Sequence, residues 1–218
     1  YWIYAYSDTT TSFRLYKKLF LRPKCYAQVD ISKIYKNENF EEMDVELNKK
    51  GRYSLYFSKG DLKIINNYKL NFILLLSGFG IIRGDILQIP KYGVWSYHHD
   101  DELKYRGTPS CFWEIYNIDK VNGAILQRLK NRLDAGLILK KGYFKTTFDS
   151  YNKNIDNIHL GSSKWVSEIA RKIVNGSFDI SQLEKDKGSL GRIYKRPNIL
   201  HLTRFILITI FFKIIKLL

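Results

Sequence analysis

The chain has 218 residues, of which 45% are hydrophobic and 15% aromatic, and its formal net charge is +15 at pH 7. This composition supports a packed core and excludes a wholly disordered chain, and the length suits one α/β domain with an appendage. Two cysteines cannot build a disulfide framework or a zinc cluster. No apolar run reaches the roughly 18–20 residues of a membrane span, and no signal peptide is visible, so we expect a cytoplasmic protein.

The positive charge has two explanations that stay open at this point. It can serve a nucleic-acid partner, or it can reflect the abundance of Lys, Ile, Asn and Tyr that AT-rich coding sequence produces. Under either explanation, the charge favours a phosphate-bearing substrate or an anionic membrane surface.

Strands and helices alternate over the first two thirds of the chain. The predicted strands are residues 53–57, 71–76, 92–97, 123–129 and 136–141, and the predicted helices are residues 13–20, 61–68, 81–89 and 108–116, the last opened by Thr108 and Pro109. Residues 71–76 form a continuous apolar run, which is typical of a strand buried on both faces of a parallel sheet. The alternation predicts a doubly wound α/β fold.

The character of the chain changes after residue 150. Trp165, Ile169 and Ile173 recur at a spacing of four and predict an amphipathic helix. A basic linker, residues 188–197, leads to a second helix, residues 200–218. We expect that helix either to pack on the domain or to lie on an anionic membrane surface. The organisation predicted is therefore a domain over residues 1–150 and a helical extension over residues 151–218.

Adjacent histidines, His98 and His99, stand at the end of the predicted strand 92–97. Ligands bind at this edge of open α/β sheets. A histidine there moves protons near neutral pH and needs a carboxylate to hold it, although a structural histidine is the alternative. The candidate carboxylates are Asp100, Asp101, Glu102 and Asp134. We predict no metal site, because a strand directs adjacent side chains to opposite faces.

Several further residues, before and after His98 in the sequence, form a pattern with it. They are Leu76-Ser-Gly-Phe79, Ile89-Pro-Lys-Tyr-Gly-Val94, Tyr105-Arg-Gly107, Trp113, Gly123 and Leu133-Asp-Ala-Gly136. With His98, they resemble the catalytic domain of the folate-dependent formyltransferases, a family that acts on methionyl-tRNA, glycinamide ribonucleotide and nucleotide-sugar amines. Its signature is Asn-x-His, then an aromatic residue with Arg-Gly, then Gly-Val-Thr and Leu-Asp-x-Gly. The resemblance covers about residues 53–147.

This chain departs from the family signature at three places. Ser96 stands where the family has Asn, and Ile125 stands where it has Thr. The loop reads His98-His-Asp-Asp-Glu-Leu103 where the family usually reads His-Pro-Ser-Leu-Leu-Pro. Such a His-His-Asp loop is similar to a bacterial branch of the family.

The resemblance implies a Rossmann-like domain with a mostly parallel sheet, whose first strand and helix would precede Tyr1. It implies an enzyme that moves a formyl group from 10-formyltetrahydrofolate to an amine without a metal. His98 would stabilise the oxyanion and shuttle protons, Asp134 would orient His98, and Ser96 would replace the Asn donor.

The resemblance also assigns the binding residues. Those that match the pterin-binding positions are Leu76, Phe79, Ile82, Asn131, Arg132 and Leu133, with core packing as the alternative for the three apolar ones. Arg106 and His99 are candidates for substrate contact, and Arg106 alternatively ties down its loop. We expect Cys111 and Trp113 to be buried in the core.

The acceptor expected is an amino sugar on a nucleotide or lipid carrier. A methionyl-tRNA formyltransferase is the first alternative, although the helical residues after 151 do not match the β-barrel that follows the catalytic domain in those enzymes. A non-catalytic folate- or sugar-binding member of the family is the second alternative. The compartment expected is the cytoplasm, or its membrane surface if the last helix binds lipid.

Overall fold

The computed structural model describes residues 11–30, 41–51, 53–76, 80–131, 136–183 and 190–218. The strands are β1 (Leu47–Lys50), β2 (Ser54–Phe57), β3 (Ile73–Leu75), β4 (Ile81–Ile82), β5 (Val94–His98), β6 (Tyr105–Gly107), β7 (Val121–Arg128), β8 (Leu137–Lys145) and β9 (Arg192–Tyr194). The helices are α1 (Thr11–Phe20), α2 (Lys59–Asn67), α3 (Phe112–Tyr116), α4 (Tyr151–Ser162), α5 (Trp165–Val174) and α6 (Ile199–Ile215).

The main sheet has four strands in the order β3-β5-β7-β8. Two smaller sheets pair β1-β2-β4 and β6-β9. The α/β class is confirmed, but the sheet is less parallel than predicted: of the six pairings among the described residues, three are parallel and three antiparallel. In the main sheet only β3 and β5 run parallel. The connection from β7 to β8 spans residues 129–136, too few for the crossover that a parallel neighbour requires.

Most of the core lies on one face of the main sheet. Trp95 and Leu126 from the sheet pack in one hydrophobic cluster with Ile158 of α4, Trp165 of α5 and Phe205 of α6. A second, smaller hydrophobic cluster contains Ile65, Ile86 and Val94. The helices that follow residue 150 therefore bury their apolar faces against the sheet, while the division of the chain at that residue stays a prediction.

Three local predictions are corrected by the backbone. Residues 81–89 do not form a helix: β4 pairs with β2, and Gly84, at φ 85°, separates it from the 3₁₀ turn Asp85–Leu87. Helix α3 begins at Phe112 rather than at residue 108, because Cys111 adopts a left-handed conformation with φ 61°. The basic linker contains β9, which pairs with β6. None of these features has a local apolar period that would reveal it.

Helix α6 packs on the domain through one side. Phe205 is fully buried and stacks on Phe112 with ring centroids 4.4 Å apart. A capping box starts the helix, in which Asn198 and His201 each accept a hydrogen bond from the other's backbone N–H. Its other side exposes apolar residues, including Leu207 and Phe211. Across the ranges described, no helix combines the length and apolar character needed to cross a bilayer.

Candidate active site

His98 ends β5, a strand in the interior of the main sheet between β3 and β7. Its side chain is 32% exposed. Ser96 lies on the same face of the strand, because alternate residues share a face. The Ser96 hydroxyl is 3.3 Å from the carbonyl oxygen of Tyr97. In the parallel neighbour, Leu75 is opposite Ser96, so the chain that leaves β3 at Leu76 starts from the same edge.

The loop after His98 folds back onto β7 at Gly123. A Cβ atom at Gly123 would lie 2.7 Å from the Cβ of Asp101, so no larger residue allows this approach. The backbone N–H groups of Lys104 and Tyr105 both donate to the carbonyl of Asp101, at 2.9 and 2.7 Å, and close the turn. As a result Asp100, Asp101 and Glu102 are all buried.

Lys141 of β8 compensates two of these carboxylates. Its Nζ is 2.8 Å from Oδ1 of Asp101 and 3.0 Å from Oε1 of Glu102. Burial lowers the pKa of Lys141, but hydrogen bonds to the two carboxylates outweigh this effect and raise it. In the strand register Lys141 is opposite Ile125, and Ile125 is opposite His98, so these three residues share one face of the sheet.

Asp100 and Glu114 form a second pair of buried acids beside His98. Oδ2 of Asp100 is 3.6 Å from Nε2 of His98. Burial raises the pKa of Asp100 well above its ordinary value and the nearby Glu114 raises it further, while the backbone N–H of Cys111 lowers it in part. Glu114 in α3 is 1% exposed, and burial raises its pKa to about 8. Burial therefore disfavours ionisation of both carboxyl groups at once.

His99 faces the other side of the sheet. Its ring stacks on Tyr97 at 5.6 Å and lies 3.8 Å from the ring of His159 in α4. The Ser162 hydroxyl is 3.4 Å from its Nε2. Burial lowers the pKa of His99 to about 3, with further lowering from His159 and His98. The structure therefore packs His99 against α4 and does not bring it to the face that carries His98.

Only some of the predicted pterin-binding residues lie in the part of the chain that the structure describes. Leu76 is 76% exposed at the end of β3, whereas Ile82 is buried in the smaller cluster, as the core alternative predicts. Oδ1 of Asn131 accepts a hydrogen bond from the backbone N–H of Gly84 at 2.9 Å. The candidates Phe79, Arg132, Leu133 and Asp134 lie outside the described residues. A cleft of about 550 Å³ is lined by Asn131 and by Gln88, Arg128, Leu129, Lys130, Leu137, Ile180, Ser181 and Leu183.

Arg106 lies on β6, directly beside β9. Its Nη1 is 3.4 Å from the carbonyl oxygen of Gly191, so it helps to tie the loop to the segment that precedes β9. Next to this pairing is a cleft of about 420 Å³ with aromatic and cationic walls and, among its described lining residues, no acidic side chain. Its lining residues are Trp113, Tyr116, Asn117, Arg192, Ile193, Tyr194, Lys195, Arg196 and His201.

Sequence reasoning missed two residues of this site. Glu114 is an acid in a helix whose neighbours Phe112, Trp113 and Ile115 are all buried, and that anomaly was a usable signal. Lys141 carried no signal, because its partners lie about 40 positions away in the sequence. Cys111 and Trp113 are buried, which confirms the predictions for both. Within the described ranges, no three potential metal ligands come together.

Comparison with solved structures finds HypX from Aquifex aeolicus, with a TM-score of 0.48 and 17% identity over 66% of this chain and 26% of that one. It also finds the formyltransferase PseJ from Anoxybacillus kamchatkensis, with a TM-score of 0.47 and 18% identity over 57% of this chain and 64% of that one. No protein-family model matches the chain.

Curated proteins give the sequence relatives. The methionyl-tRNA formyltransferase of Clostridium tetani is 29% identical over 127 residues, which is 58% of this chain and 40% of that protein. The one from Thermotoga neapolitana is 25% identical over 132 residues, 58% of this chain and 41% of that protein. The chain thus spans about two fifths of the length of these relatives. Over the matched residues, the chain is therefore similar to the methionyl-tRNA formyltransferases.

Proposed function

We propose that the protein transfers a formyl group from 10-formyltetrahydrofolate to an amine. The observation that carries the proposal is the placement of His98 at the end of an interior strand, about one third exposed, with a buried carboxyl group 3.6 Å from its Nε2. A histidine in this setting can donate a hydrogen bond and can hold a proton for a short time.

The reaction is attack of the neutral amine nitrogen on the formyl carbon. The carbon–nitrogen bond forms as the carbonyl electrons move onto oxygen, and the intermediate then expels the folate nitrogen, which takes up a proton. His98 donates to the oxyanion, a contribution of roughly 3–4 kcal/mol. It also accepts the proton that the attacking nitrogen releases. Ser96 supplies a hydroxyl on the same face, and its short reach favours a bridging water.

Two of the proposed folate-binding residues support a flat, partly apolar ligand. Leu76 exposes an isobutyl group at the sheet edge where ligands of α/β proteins bind. Asn131 lines a cleft whose volume is in the range of small-molecule sites. We assign the remaining folate contacts to Phe79, Arg132 and Leu133, and the orientation of His98 to Asp134, on the family resemblance alone.

We further propose that the acceptor carries phosphate, most simply as an amino sugar on a nucleotide or lipid carrier. The support is the cleft beside β9, which combines Arg192, Lys195 and Arg196 with the rings of Tyr116 and Tyr194. Cations attract a diphosphate, and aromatic rings suit a base or a sugar face. Arg106, one strand away, is the proposed link between this cleft and the reacting amine.

The test is release of tetrahydrofolate when the protein is incubated with 10-formyltetrahydrofolate and a panel of nucleotide-linked amino sugars. Formylated sugar detected by mass spectrometry in equal amount supports the proposal. Tetrahydrofolate release without acceptor would indicate hydrolysis, and binding of the folate without any release would favour a non-catalytic member of the family. In either case, the transferase proposal is wrong.

Methionyl-tRNA is the second candidate acceptor, because the sequence relatives are methionyl-tRNA formyltransferases and the net charge is +15. The same assay with methionyl-tRNA in place of the sugars separates the two acceptors. As a matched control, Lys195→Gln should weaken use of a phosphate-bearing sugar, whereas Lys91→Gln, at a lysine outside that cleft, should not.

We propose finally that the protein is cytoplasmic and that α6 contacts an anionic membrane surface. The exposed side of the helix carries Leu207 and Phe211, and the helix has basic residues, Arg204 and Lys213, but no acidic one. Removing the helix would also remove buried Phe205, so the test is the double variant Leu207→Ser with Phe211→Ser. Wild-type protein should co-sediment with phosphatidylserine vesicles at low salt and the variant should not. If wild-type protein stays in the supernatant, the proposal is wrong.

A further inference from the structure

The feature with the least ordinary explanation is the buried acid Glu114. Its side chain is 1% exposed, and neither carboxyl oxygen has a hydrogen-bond partner among the described residues. An ionised carboxylate in that position would be strongly unfavourable, and a buried polar group without a partner calls for an explanation. Glu114 is close enough to Asp100 for its charge to perturb that residue.

Asp100 differs from Glu114 in lying beside an imidazole. The backbone N–H of Cys111 donates to its carboxyl group, and Nε2 of His98 is 3.6 Å from its Oδ2. Of the two acids, Asp100 is therefore the better site for one negative charge and Glu114 the better site for one proton. Asp101 and Glu102 are engaged with Lys141, so they do not offer His98 a carboxylate of this kind.

We propose that Asp100 is a positioning residue for His98, and that protonated Glu114 keeps the single negative charge of this buried pair on Asp100. The carboxylate then faces the imidazole and stabilises the cation that forms when His98 takes a proton. The expected effect of Asp100 on turnover rests on the proposed formyl transfer. The assignment of the negative charge to Asp100 does not depend on that function.

Other groups face the pair and must be accounted for in any titration. They are Asp101, Asp119, Tyr105, Cys111, Tyr151 and, beside His98, His99. Burial raises the pKa of Tyr105 to about 12 and that of Cys111 and Tyr151 well above their ordinary values, so these three groups stay neutral near pH 7. The cation of Lys141 is paired with Asp101, which is one of these groups.

The first experiment follows the imidazole signals of His98 by NMR as pH is varied, with the signals assigned from His98→Gln. In Asp100→Asn the midpoint of the His98 titration should fall by about one pH unit or more, because an adjacent carboxylate is lost. In Glu114→Gln it should stay in place, because a neutral amide replaces a neutral acid of the same shape. Asp101→Asn is the matched control, a buried acid of the same loop that binds Lys141, and it should also leave the midpoint in place.

Three outcomes of this titration would overturn the charge assignment. An unchanged midpoint in Asp100→Asn means that Asp100 carries no charge. A drop in Glu114→Gln as large as in Asp100→Asn means that the charge is on Glu114. An equal drop in Asp101→Asn means that the loop, and not the carboxylate, moved. Glu114→Gln preserves size and shape, so the assignment remains testable even if Asp100→Asn fails to fold.

The second experiment measures turnover. Asp100→Asn should lower kcat by at least about tenfold with little change in KM for the folate, and Asp100→Glu should restore part of the loss. A shifted His98 titration with unchanged kcat would overturn the positioning role. If the wild-type protein transfers no formyl group, the proposed function is wrong, and the titration alone still decides the charge assignment.

Discussion

His98 and His99 are adjacent in the sequence, but they face opposite sides of the main sheet and have different surroundings. On one face, His98, Ile125 and Lys141 form a row across three strands, and the row ends among buried acids. On the other face, Tyr97 and Lys140 lie in the next row, under α4 and α5, and His99 extends that face beyond the strand. Ionisable side chains are concentrated on the face that carries His98, and packed rings on the face that carries His99. The position of a histidine in the strand period decides which role it takes.

The largest effect expected from breaking this comparison comes from the two lysines of β8. Lys141→Met leaves Asp101 and Glu102 buried without a cation and should lower the free energy of unfolding by about 3 kcal/mol. Lys140→Met, on the other face, removes an ion pair with Glu168 whose members are about one third exposed, and should cost less than about 1 kcal/mol. Urea unfolding of both variants measures the difference. Equal losses of unfolding free energy in the two variants would show that Asp101 and Glu102 depend on Lys141 no more than Glu168 depends on Lys140.

A second expected effect concerns pH and the packing face. The pKa of His99 is lowered by burial to about 3, so the unfolded chain binds its proton first as pH falls below about 6.5. Stability from this group is therefore full above that pH and is lost between about 6.5 and 3, at up to about 1.4 kcal/mol per pH unit. Asp100 and Glu114, whose pKa values are raised, act in the opposite direction over part of this window.

The measurement must therefore be a difference between two proteins. His99→Phe keeps a ring against Tyr97 and His159 but cannot take a proton. Its unfolding free energy should fall less steeply than that of the wild type between pH 6 and pH 4. Parallel curves for the two proteins would mean that His99 is not desolvated in solution.

The smallest effect is expected at Ser96. Ser96→Asn restores the donor that the family signature has at this position, on the same strand face as His98. Activity should be retained within about threefold or rise, because an amide reaches farther than a hydroxyl without needing a bridging water. Steady-state kinetics with a fixed acceptor measure it. A collapse of activity in a folded variant would show that this chain uses the serine in its own way.

The sequence predicted the parts of the fold that depend on local pattern. The strand at residues 92–97 and the helix that contains Trp165, Ile169 and Ile173 were both predicted, the helix from its apolar spacing of four. Three features depend on single backbone conformations or distant pairings, which no local period records. These are the break at Gly84, the late start of α3 at Cys111, and the pairing of β9 with β6.

The site divides in the same way. His98 and Ser96 could be placed on one face from alternation alone, and His99 on the other. Asp100 was one of four candidate carboxylates, and the structure brings it to 3.6 Å from His98. The role of Lys141 could not be predicted, because it depends on the close approach of the loop to Gly123, whereas Glu114, a lone acid between apolar neighbours, left a signal in the sequence. Asp134 stays a prediction of the family resemblance, and Asp134→Asn should lower turnover by at least about 100-fold with little change in folate affinity.

The most direct test of the account is the rate of formyl transfer by His98→Ala and His99→Ala, measured in parallel with 10-formyltetrahydrofolate and an acceptor that the wild-type protein uses. We expect the rate of formyl transfer to fall at least about 100-fold in His98→Ala with folate affinity nearly unchanged, because an interaction made in the transition state is removed. We expect a mild loss for His99→Ala once the variant is shown to be folded. Equal losses in the two variants, or normal turnover at saturation in His98→Ala, would contradict the assignment of the reaction to the His98 face.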